Sequence, residues 1–273
     1  MNQIIECVPN ISEGRNQSII NSIISSSNNI ENAKIVDVDS GYDTNRTVIT
    51  IVGEPEPVLK CAYSIIKKSL ELIDLNKHSG AHARMGATDV CPIIPIENIT
   101  MDECVELTKR LSRDVAKKLH LPVFLYEKSA MNKDRINLAN IRKGEFELMK
   151  DKIKEKEWKP DYGDNSIHPT GGAIAIGARN FLVAYNINLN TMDKKIASDI
   201  ALDIREAGRA KRDKNGKIIR DNNGKIVKVP GTLKETKAVG WYLDEHKISQ
   251  VSMNLVNIDV TSIHKAFEEV RDQ

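Results

Sequence analysis

The sequence predicts an α+β fold, because strand-like and helix-like segments alternate along its 273 residues. In the first half the predicted order is β-α-β-β-α-β-α-β, which favours a ferredoxin-like arrangement with helices packed on a β-sheet. The second half repeats the order β-α-β-β-α and has no predicted closing strand. We therefore predict two ferredoxin-like α/β subdomains, of which the second is shortened.

Hydrophobic periodicity predicts the first elements. Residues 4–8 form a short strand candidate, and residues 34–39 alternate like a half-buried strand. The β-branched run 47–52 is the clearest strand signal in the chain. A helix is indicated between the first two strands by four isoleucines that share one helical face: Ile19, Ile20, Ile23 and Ile24.

Two longer helices and another strand follow. The first begins after Pro55 and Pro57, where apolar residues recur at helical spacing. Thr100 and Glu103 form a capping box at the start of the second. Residues 122–126 then predict a strand.

The second half begins after a polar stretch. Residues 150–160 are dense in Lys and Glu and lead into the turn-rich segment 161–172, which predicts a junction between subdomains. Residues 181–189 alternate as a strand, and Thr191 can cap the helix that follows. Two further strands and a final helix are predicted at 238–243, 248–256 and 261–270.

Composition excludes several classes of protein. The 40 Lys and Arg nearly balance the 38 Asp and Glu, which argues against a nucleic-acid-binding protein. The sequence shows no membrane-spanning run and no basic leader at its start, so we expect a cytoplasmic protein that does not bind membranes. Four scattered cysteines are expected to be reduced and buried: Cys7, Cys61, Cys91 and Cys104.

A basic repeat occupies residues 205–228, where two Asn-Gly pairs recur. Asn-Gly is a strong hairpin-turn signal, so an exposed hairpin is the simplest interpretation. The alternative is a patch that attracts an anionic ligand, because nine Lys and Arg face three acids in this range.

The segment 76–92 is the most informative for chemistry, because it places His78, His82, Arg84 and Asp89 in a glycine-bearing loop. Histidine accepts and donates protons near neutral pH. Spacing alone leaves open metal ligation, acid/base work or a structural role. A zinc motif is disfavoured, because Gly80 interrupts a helix and no Glu follows the first histidine.

Three other segments carry polar clusters. Residues 37–48 form a loop rich in Asp and Asn followed by Arg46, and an ordinary turn would explain them. Residues 6–15 are consistent with a helix start capped by Ser12. The glycines of residues 161–179 lack the spacing of a phosphate loop, so a flexible linker is the plainer interpretation.

These segments resemble the folate-dependent glutamate formimidoyltransferases over residues 4 to about 256. Residues 78–92 match the family's run His-x-Gly-Ala-His-x-Arg-Met-Gly-Ala-x-Asp-Val-Cys-Pro, and residues 37–48 match its Asp-x-Asp-x-Gly-x-x-Thr-Asn-Arg-Thr-Val. The chain differs where the family often has proline, at Ala83 and Asp164. The resemblance implies an N-terminal formiminotransferase subdomain at 1–178 and a short C-terminal one at 179–273.

The resemblance also implies roles for residues. His82 would be the general acid/base, and His78 would support it. The substrate-binding candidates are Asn10, Asp39, Asn45, Arg46 and Arg84. Asp39 would steady a cationic amidine or orient His82, and the two arginines would hold carboxylates. The folate-binding candidates are Gly163, Asp164, Asn165, Ser166, Ile167, His168, Pro169, Thr170, Gly171 and Gly172.

The implied reaction moves the formimino group from N-formimino-L-glutamate to tetrahydrofolate during histidine degradation, without a metal. A homodimer, a ligand site between the two halves and a separate cyclodeaminase partner are further expectations. Two rival hypotheses remain. A metal-dependent amidohydrolase would use His78, His82 and either Asp39 or His168 as ligands, and a non-catalytic folate-binding module would need no reacting group.

Overall fold

The computed structural model describes residues 2–273 and divides into two compact units, Met1–Arg179 and Asn180–Gln273. Both units contain helices and sheets, so the predicted α+β class is confirmed. Within the described residues, none of the helices combines the length and the apolar character needed to cross a membrane.

The first unit contains a seven-stranded mixed sheet. Its strands are β1 (Ile4–Cys7), β2 (Asn10–Ile11), β3 (Ala33–Gly41), β4 (Arg46–Gly53), β5 (Thr88–Glu97), β6 (Val123–Leu125) and β7 (Ile174–Ala178). The spatial order is β3-β4-β1/β2-β5-β7-β6, in which β1 and β2 lie one after the other between β4 and β5. Pairing is antiparallel from β3 to β5 and parallel from β5 through β7 to β6.

Helices cover both faces of part of this sheet. They are α1 (Gln17–Ser25), α2 (Pro55–Leu72), α3 (Met101–Leu119), α4 (Leu138–Arg142) and α5 (Glu145–Lys152). Ile174 and Ile176 of β7 belong to the main core with α2 and α3, whereas Ala175 belongs to a second core with α4 and α5. Because alternate strand residues point to opposite faces, the two cores lie on opposite sides of the sheet.

The local signals in this unit are confirmed. Thr100 and Glu103 form the predicted capping box of α3, and Pro55 begins α2. The junction predicted within 150–172 is not seen as a division between units, because this segment lies inside the first unit. Its end is held to the rest of the unit by backbone hydrogen bonds, including Leu75 N to Thr170 O at 2.8 Å.

The second unit contains a three-stranded antiparallel sheet in the order β11-β12-β8. Its strands and helices are β8 (Val183–Asn188), α6 (Lys194–Ile204), β9 (Arg209–Ala210), β10 (Lys228–Val229), β11 (Thr236–Leu243), β12 (Ile248–Leu255) and α7 (Ile263–Asp272). The cap of α6 is Asp193, whose carboxylate accepts from Lys195 N at 2.8 Å, and not Thr191 as predicted. Thr191 lies two residues too early, and its hydroxyl accepts from Asp193 N instead.

The basic repeat forms two exposed turns of the same design. In the first, Asp213 Oδ1 accepts from Asn215 N and Lys217 N, and Gly216 has a φ of 79°. In the second, Asp221 makes the equivalent contacts. The exposed-hairpin interpretation is therefore confirmed.

Candidate active site

Asn45 joins three loops of the first unit. It has a φ of 48°, a left-handed conformation that asparagine tolerates. Its Oδ1 accepts from Gly14 N at 2.9 Å, its Nδ2 donates to Ser79 O at 2.9 Å, and its carbonyl lies 2.9 Å from His78 Nε2. Since both the oxygen and the nitrogen of its side-chain amide are hydrogen-bonded, Asn45 positions the histidine loop.

His78 is fixed in one neutral tautomer. Its Nε2 donates to the Asn45 carbonyl, and its Nδ1 accepts from Arg84 Nε at 3.2 Å. Burial lowers the pKa of His78, although the hydrogen bond to Asn45 opposes this shift. Both ring nitrogens are therefore occupied, which fits a supporting role.

His82 lies on the same loop with its ring half-buried. Its Nδ1 is 2.6 Å from the Ala83 carbonyl and 3.1 Å from Arg46 Nη1. We assign the proton to Nδ1, because the shorter contact is to a group that can only accept. Nε2 then carries the lone pair, and it makes no hydrogen bond within residues 2–273. The loop therefore presents an unengaged basic nitrogen.

A buried carboxylate, Asp89, shares Arg46 Nη1 with His82. Asp89 is 1% exposed, and its Oδ1 accepts from Met85 N at 2.9 Å. Its Oδ2 is 3.2 Å from Arg46 Nη1 and 2.6 Å from Arg142 Nη2. Burial alone would raise the pKa of Asp89, but the two guanidinium groups and the Met85 N–H outweigh it and lower the pKa.

Asn10 holds Arg46 in place. Its Oδ1 accepts from Arg46 Nε at 3.1 Å and from Nη2 at 2.5 Å, and its Nδ2 donates to Val8 O at 2.6 Å. Burial, followed by the charge of Arg142, lowers the pKa of Arg46 to about 10. Asn10 therefore fixes the guanidinium that contacts His82.

Arg84 forms ion pairs with two glutamates of the protein. Its Nη1 lies 3.0 Å from Glu145 and 2.8 Å from Glu147, and its Nη2 lies 2.6 Å from Glu147. Its carbonyl also accepts from Phe146 N at 3.0 Å. This arginine, expected to hold a substrate carboxylate, instead ties the start of α5 to the histidine loop.

Asp39 lies on the exposed part of β3. It pairs in register with Val48 of β4, as Asn10 does from the other side. Residues opposite one another in neighbouring strands share a face, and Arg46 is two positions from Val48. Asp39 therefore lies on the same face as Asn10 and Arg46, and within the described chain it makes no hydrogen bond to His82.

The end of the predicted folate segment packs against the histidine loop. Ala87 N donates to Gly171 O at 3.0 Å, and Ala173 N donates to Met85 O at 3.0 Å. His168 Nδ1 accepts from Gly171 N at 3.0 Å. The start of the segment is exposed: Gly163, Asp164, Asn165 and Ser166. The remaining members are Ile167, Pro169, Thr170 and Gly172, of which only Gly172 is buried and only Pro169 is exposed.

Gly172 cannot accept a side chain. Its φ is 67°, and an added Cβ would lie 2.1 Å from Met85 O. We expect Gly172→Ala to lower the free energy of unfolding of the first unit by about 2–4 kcal/mol, measured by urea unfolding followed through Trp158 fluorescence. Gly216→Ala is the control, since its φ is 79° with nothing within 4 Å. Followed through Trp241, it should cost about 1–2 kcal/mol. Equal losses would contradict the crowding argument.

The charges around His82 favour its neutral form. Burial is the largest cause, and Arg46 and Arg142 add to it, so that the pKa falls to about 3. We expect the ¹⁵N resonances of His82 to show a neutral ring from pH 8 down to pH 5. Arg46→Gln should raise the pKa, because one of the two opposing charges is lost. A wild-type midpoint at 6.5 or above would contradict this electrostatic description.

Four residues of this cluster were not predicted as site residues: Asp89, Arg142, Glu145 and Glu147. Asp89 stood inside the histidine motif, and its position as a charged residue at the start of the buried strand β5 was a usable signal. The other three lie on or beside α4 and α5, far away in sequence, and nothing in their local spacing indicates the contact.

No group of three or more His, Cys, Asp or Glu in residues 2–273 is arranged to hold a metal ion. The amidohydrolase hypothesis needs His78 as a ligand, but both of its ring nitrogens are already hydrogen-bonded. A metal could bind to His78 only after one of these two contacts was broken.

Comparison with known proteins gives the family. Residues 4–179 match the model of the formiminotransferase domain, N-terminal subdomain, and residues 184–273 match that of the formiminotransferase domain. The chain therefore belongs to the formiminotransferase domain family.

Its relatives are of two lengths. The chain is 42% identical to a glutamate formimidoyltransferase of Streptococcus pyogenes serotype M1, with 99% of this chain and 83% of the relative aligned. It is 38% identical to a glutamate formimidoyltransferase of Thermoplasma acidophilum, over 98% of this chain and 82% of that one. A formimidoyltransferase-cyclodeaminase of Dictyostelium discoideum is 44% identical over 98% of this chain and 47% of its own length. The chain thus spans about half the length of the formimidoyltransferase-cyclodeaminases that it matches.

Proposed function

We propose that the protein is a glutamate formimidoyltransferase that transfers the formimino group of N-formimino-L-glutamate to tetrahydrofolate. The observation that carries this proposal is the unengaged Nε2 of His82, held beside two guanidinium groups in a chain of this family. The two stand-alone relatives named as glutamate formimidoyltransferases support the choice of reaction.

The chemistry follows from His82 as the proton carrier. A ring amine of tetrahydrofolate attacks the amidine carbon and forms a tetrahedral intermediate. Neutral His82 takes the proton that the amine loses, while its Nδ1–H stays on the Ala83 carbonyl. The resulting imidazolium, which the surrounding arginines disfavour, then gives this proton to the glutamate nitrogen as the C–N bond breaks. Glutamate leaves as an amine and His82 returns to its neutral form.

Other residues position the reactants. Arg46 holds a carboxylate of the donor, Asn10 and Asn45 fix Arg46 and the loop, and Asp39 faces the cationic amidine from β3. Folate binds along residues 163–172, whose end is attached to the histidine loop. No resident metal takes part.

The proposal extends to architecture and partners. The order β3-β4-β1/β2-β5 with antiparallel pairing supports a ferredoxin-like arrangement at the centre of the first unit, extended by β7 and β6. A homodimer is proposed, as is a separate cyclodeaminase that acts on the product. The names of the longer relatives, formimidoyltransferase-cyclodeaminases, include this cyclodeaminase activity, and the chain covers about half of their length.

The test is the rate of formimino transfer by the purified protein with both substrates. We expect turnover that requires tetrahydrofolate and survives treatment with a chelator. Activity that disappears with the chelator and returns with zinc would contradict the metal-free mechanism. Folate binding without any turnover would instead indicate the non-catalytic module.

A further inference from the structure

The ion cluster formed by Arg46, Arg142 and Asp89 next to His82 carries a net positive charge. Two guanidinium groups, Arg46 and Arg142, contact the single carboxylate of Asp89. His82 is neutral and adds no charge to the cluster. A partly buried positive charge without a partner is unfavourable, so such a cluster is complete only when an anion joins it.

The three arginines near His82 differ in the donors that they have left. Arg84 donates hydrogen bonds to two glutamates and to His78. Arg46 donates to Asn10 and Asp89, and its Nη1 also lies 3.1 Å from the protonated Nδ1 of His82. Arg142 makes one ion pair through Nη2, and within the described chain its Nε is buried without any hydrogen-bond partner. A buried donor without an acceptor marks a place where an acceptor is missing.

Arg142 is also rigidly placed. It is the last residue of α4, and the preceding Ile141 is fully buried. Lys152 Nζ donates to the carbonyls of Ile141 at 2.7 Å and Lys143 at 3.2 Å, which closes the end of this short helix. The salt bridges from Arg84 to α5 hold the next segment on the histidine loop. The guanidinium is therefore pre-organised for a ligand.

We propose that Arg142, together with Arg46, binds a carboxylate of the formimino donor beside His82, in the role that the family resemblance implies for Arg84. This inference rests on the proposed function for the identity of the donor. A planar guanidinium with free donors suits a carboxylate, which can accept two parallel hydrogen bonds. The carboxylate would also supply the negative charge that the cluster lacks.

The kinetic test compares Arg142→Gln with Lys143→Gln. Lys143 is exposed and adjacent, so its variant removes the same charge without touching Asp89. We expect Arg142→Gln to raise the KM for N-formimino-L-glutamate about 10- to 100-fold, because a hydrogen bond between charged groups contributes about this much to affinity. The KM for tetrahydrofolate should stay within about twofold of the wild-type value in both variants. An unchanged donor KM in folded Arg142→Gln protein would overturn the inference.

A binding test needs no turnover. Calorimetry would measure the affinity of the protein for L-glutamate and for its two monoamides, L-glutamine and L-isoglutamine. We expect wild type to bind L-glutamate more tightly than one of the monoamides, and Arg142→Gln to lose that preference. A preference that persists in Arg142→Gln would overturn the inference. If the preference depends on Arg142 but no formimino transfer occurs, the carboxylate site stands and the proposed function fails.

Should Arg142→Gln fail to fold, Arg142→Lys keeps the charge beside Asp89 and removes the planar fork. We expect that variant to fold and to bind L-glutamate about 3- to 10-fold more weakly than wild type, because one of two parallel hydrogen bonds is lost. Affinity equal to wild type in Arg142→Lys would contradict bidentate binding by this side chain.

Discussion

His82→Ala is expected to lower kcat for formimino transfer by about 100- to 10,000-fold, while the affinity for folate changes little. A positioned acid/base contributes a factor of this size, which corresponds to about 3–5 kcal/mol of the activation barrier. The binding of folate should survive, because the backbone of Met85 and Ala87 makes the hydrogen bonds that join the histidine loop to the end of the predicted folate segment. The rates should be measured at saturating substrates between pH 6 and 9.

His78→Ala is the matched control for this prediction. Its ring holds the loop by contacts with Asn45 and Arg84 and carries no free nitrogen, so its loss should reduce kcat by less than the loss of His82. Near-normal turnover in folded His82→Ala, together with a large loss in His78→Ala, would show that the loop presents the other histidine.

Asp89→Asn is expected to lower the free energy of unfolding of the first unit by about 3–5 kcal/mol, because it leaves two guanidinium groups without their counter-charge. Asp89 is 1% exposed, so water cannot replace the lost interaction. Because the pKa of this carboxyl is lowered in the folded state, its stabilisation is complete above the pKa of an unfolded Asp, about 4. It decreases as the pH falls through the folded value.

The measurement is urea unfolding in a Trp241→Phe background, so that Trp158 alone reports the first unit. Asp161→Asn is the control, because the side chain of Asp161 is also buried but contacts one guanidinium, Arg135, at 2.8 Å. We expect a smaller loss in that variant. If Asp89→Asn unfolds at the same urea concentration as the parent at neutral pH, the ion cluster does not stabilise the fold.

Local signals in the sequence predict much of this fold. The β-branched run became β4, and the capping box of Thr100 and Glu103 starts α3 as expected. By contrast, β7 was missed. It is a continuous Ile-Ala-Ile-Gly-Ala run buried on both faces, and such a strand shows no alternation by which to recognise it.

The candidate site likewise contains residues that the sequence predicts and residues that it does not. The histidine loop is predictable, because its residues are neighbours in sequence. Arg142 was missed, since its contact with Asp89 joins segments that are far apart and depends on how α4 packs. Arg84 shows the opposite problem. Sequence identifies an arginine beside His82, but only the structure shows that Glu145 and Glu147 already engage it.

Formimino transfer is tested most directly by following the formimino carbon itself. N-formimino-L-glutamate labelled with ¹³C at that carbon would be incubated with the protein and tetrahydrofolate and observed by NMR. We predict that the label appears as 5-formiminotetrahydrofolate, with one glutamate released for each label transferred and no reaction without folate. Release of labelled formamide or formate at a rate independent of folate would show a hydrolase and contradict the proposed transfer.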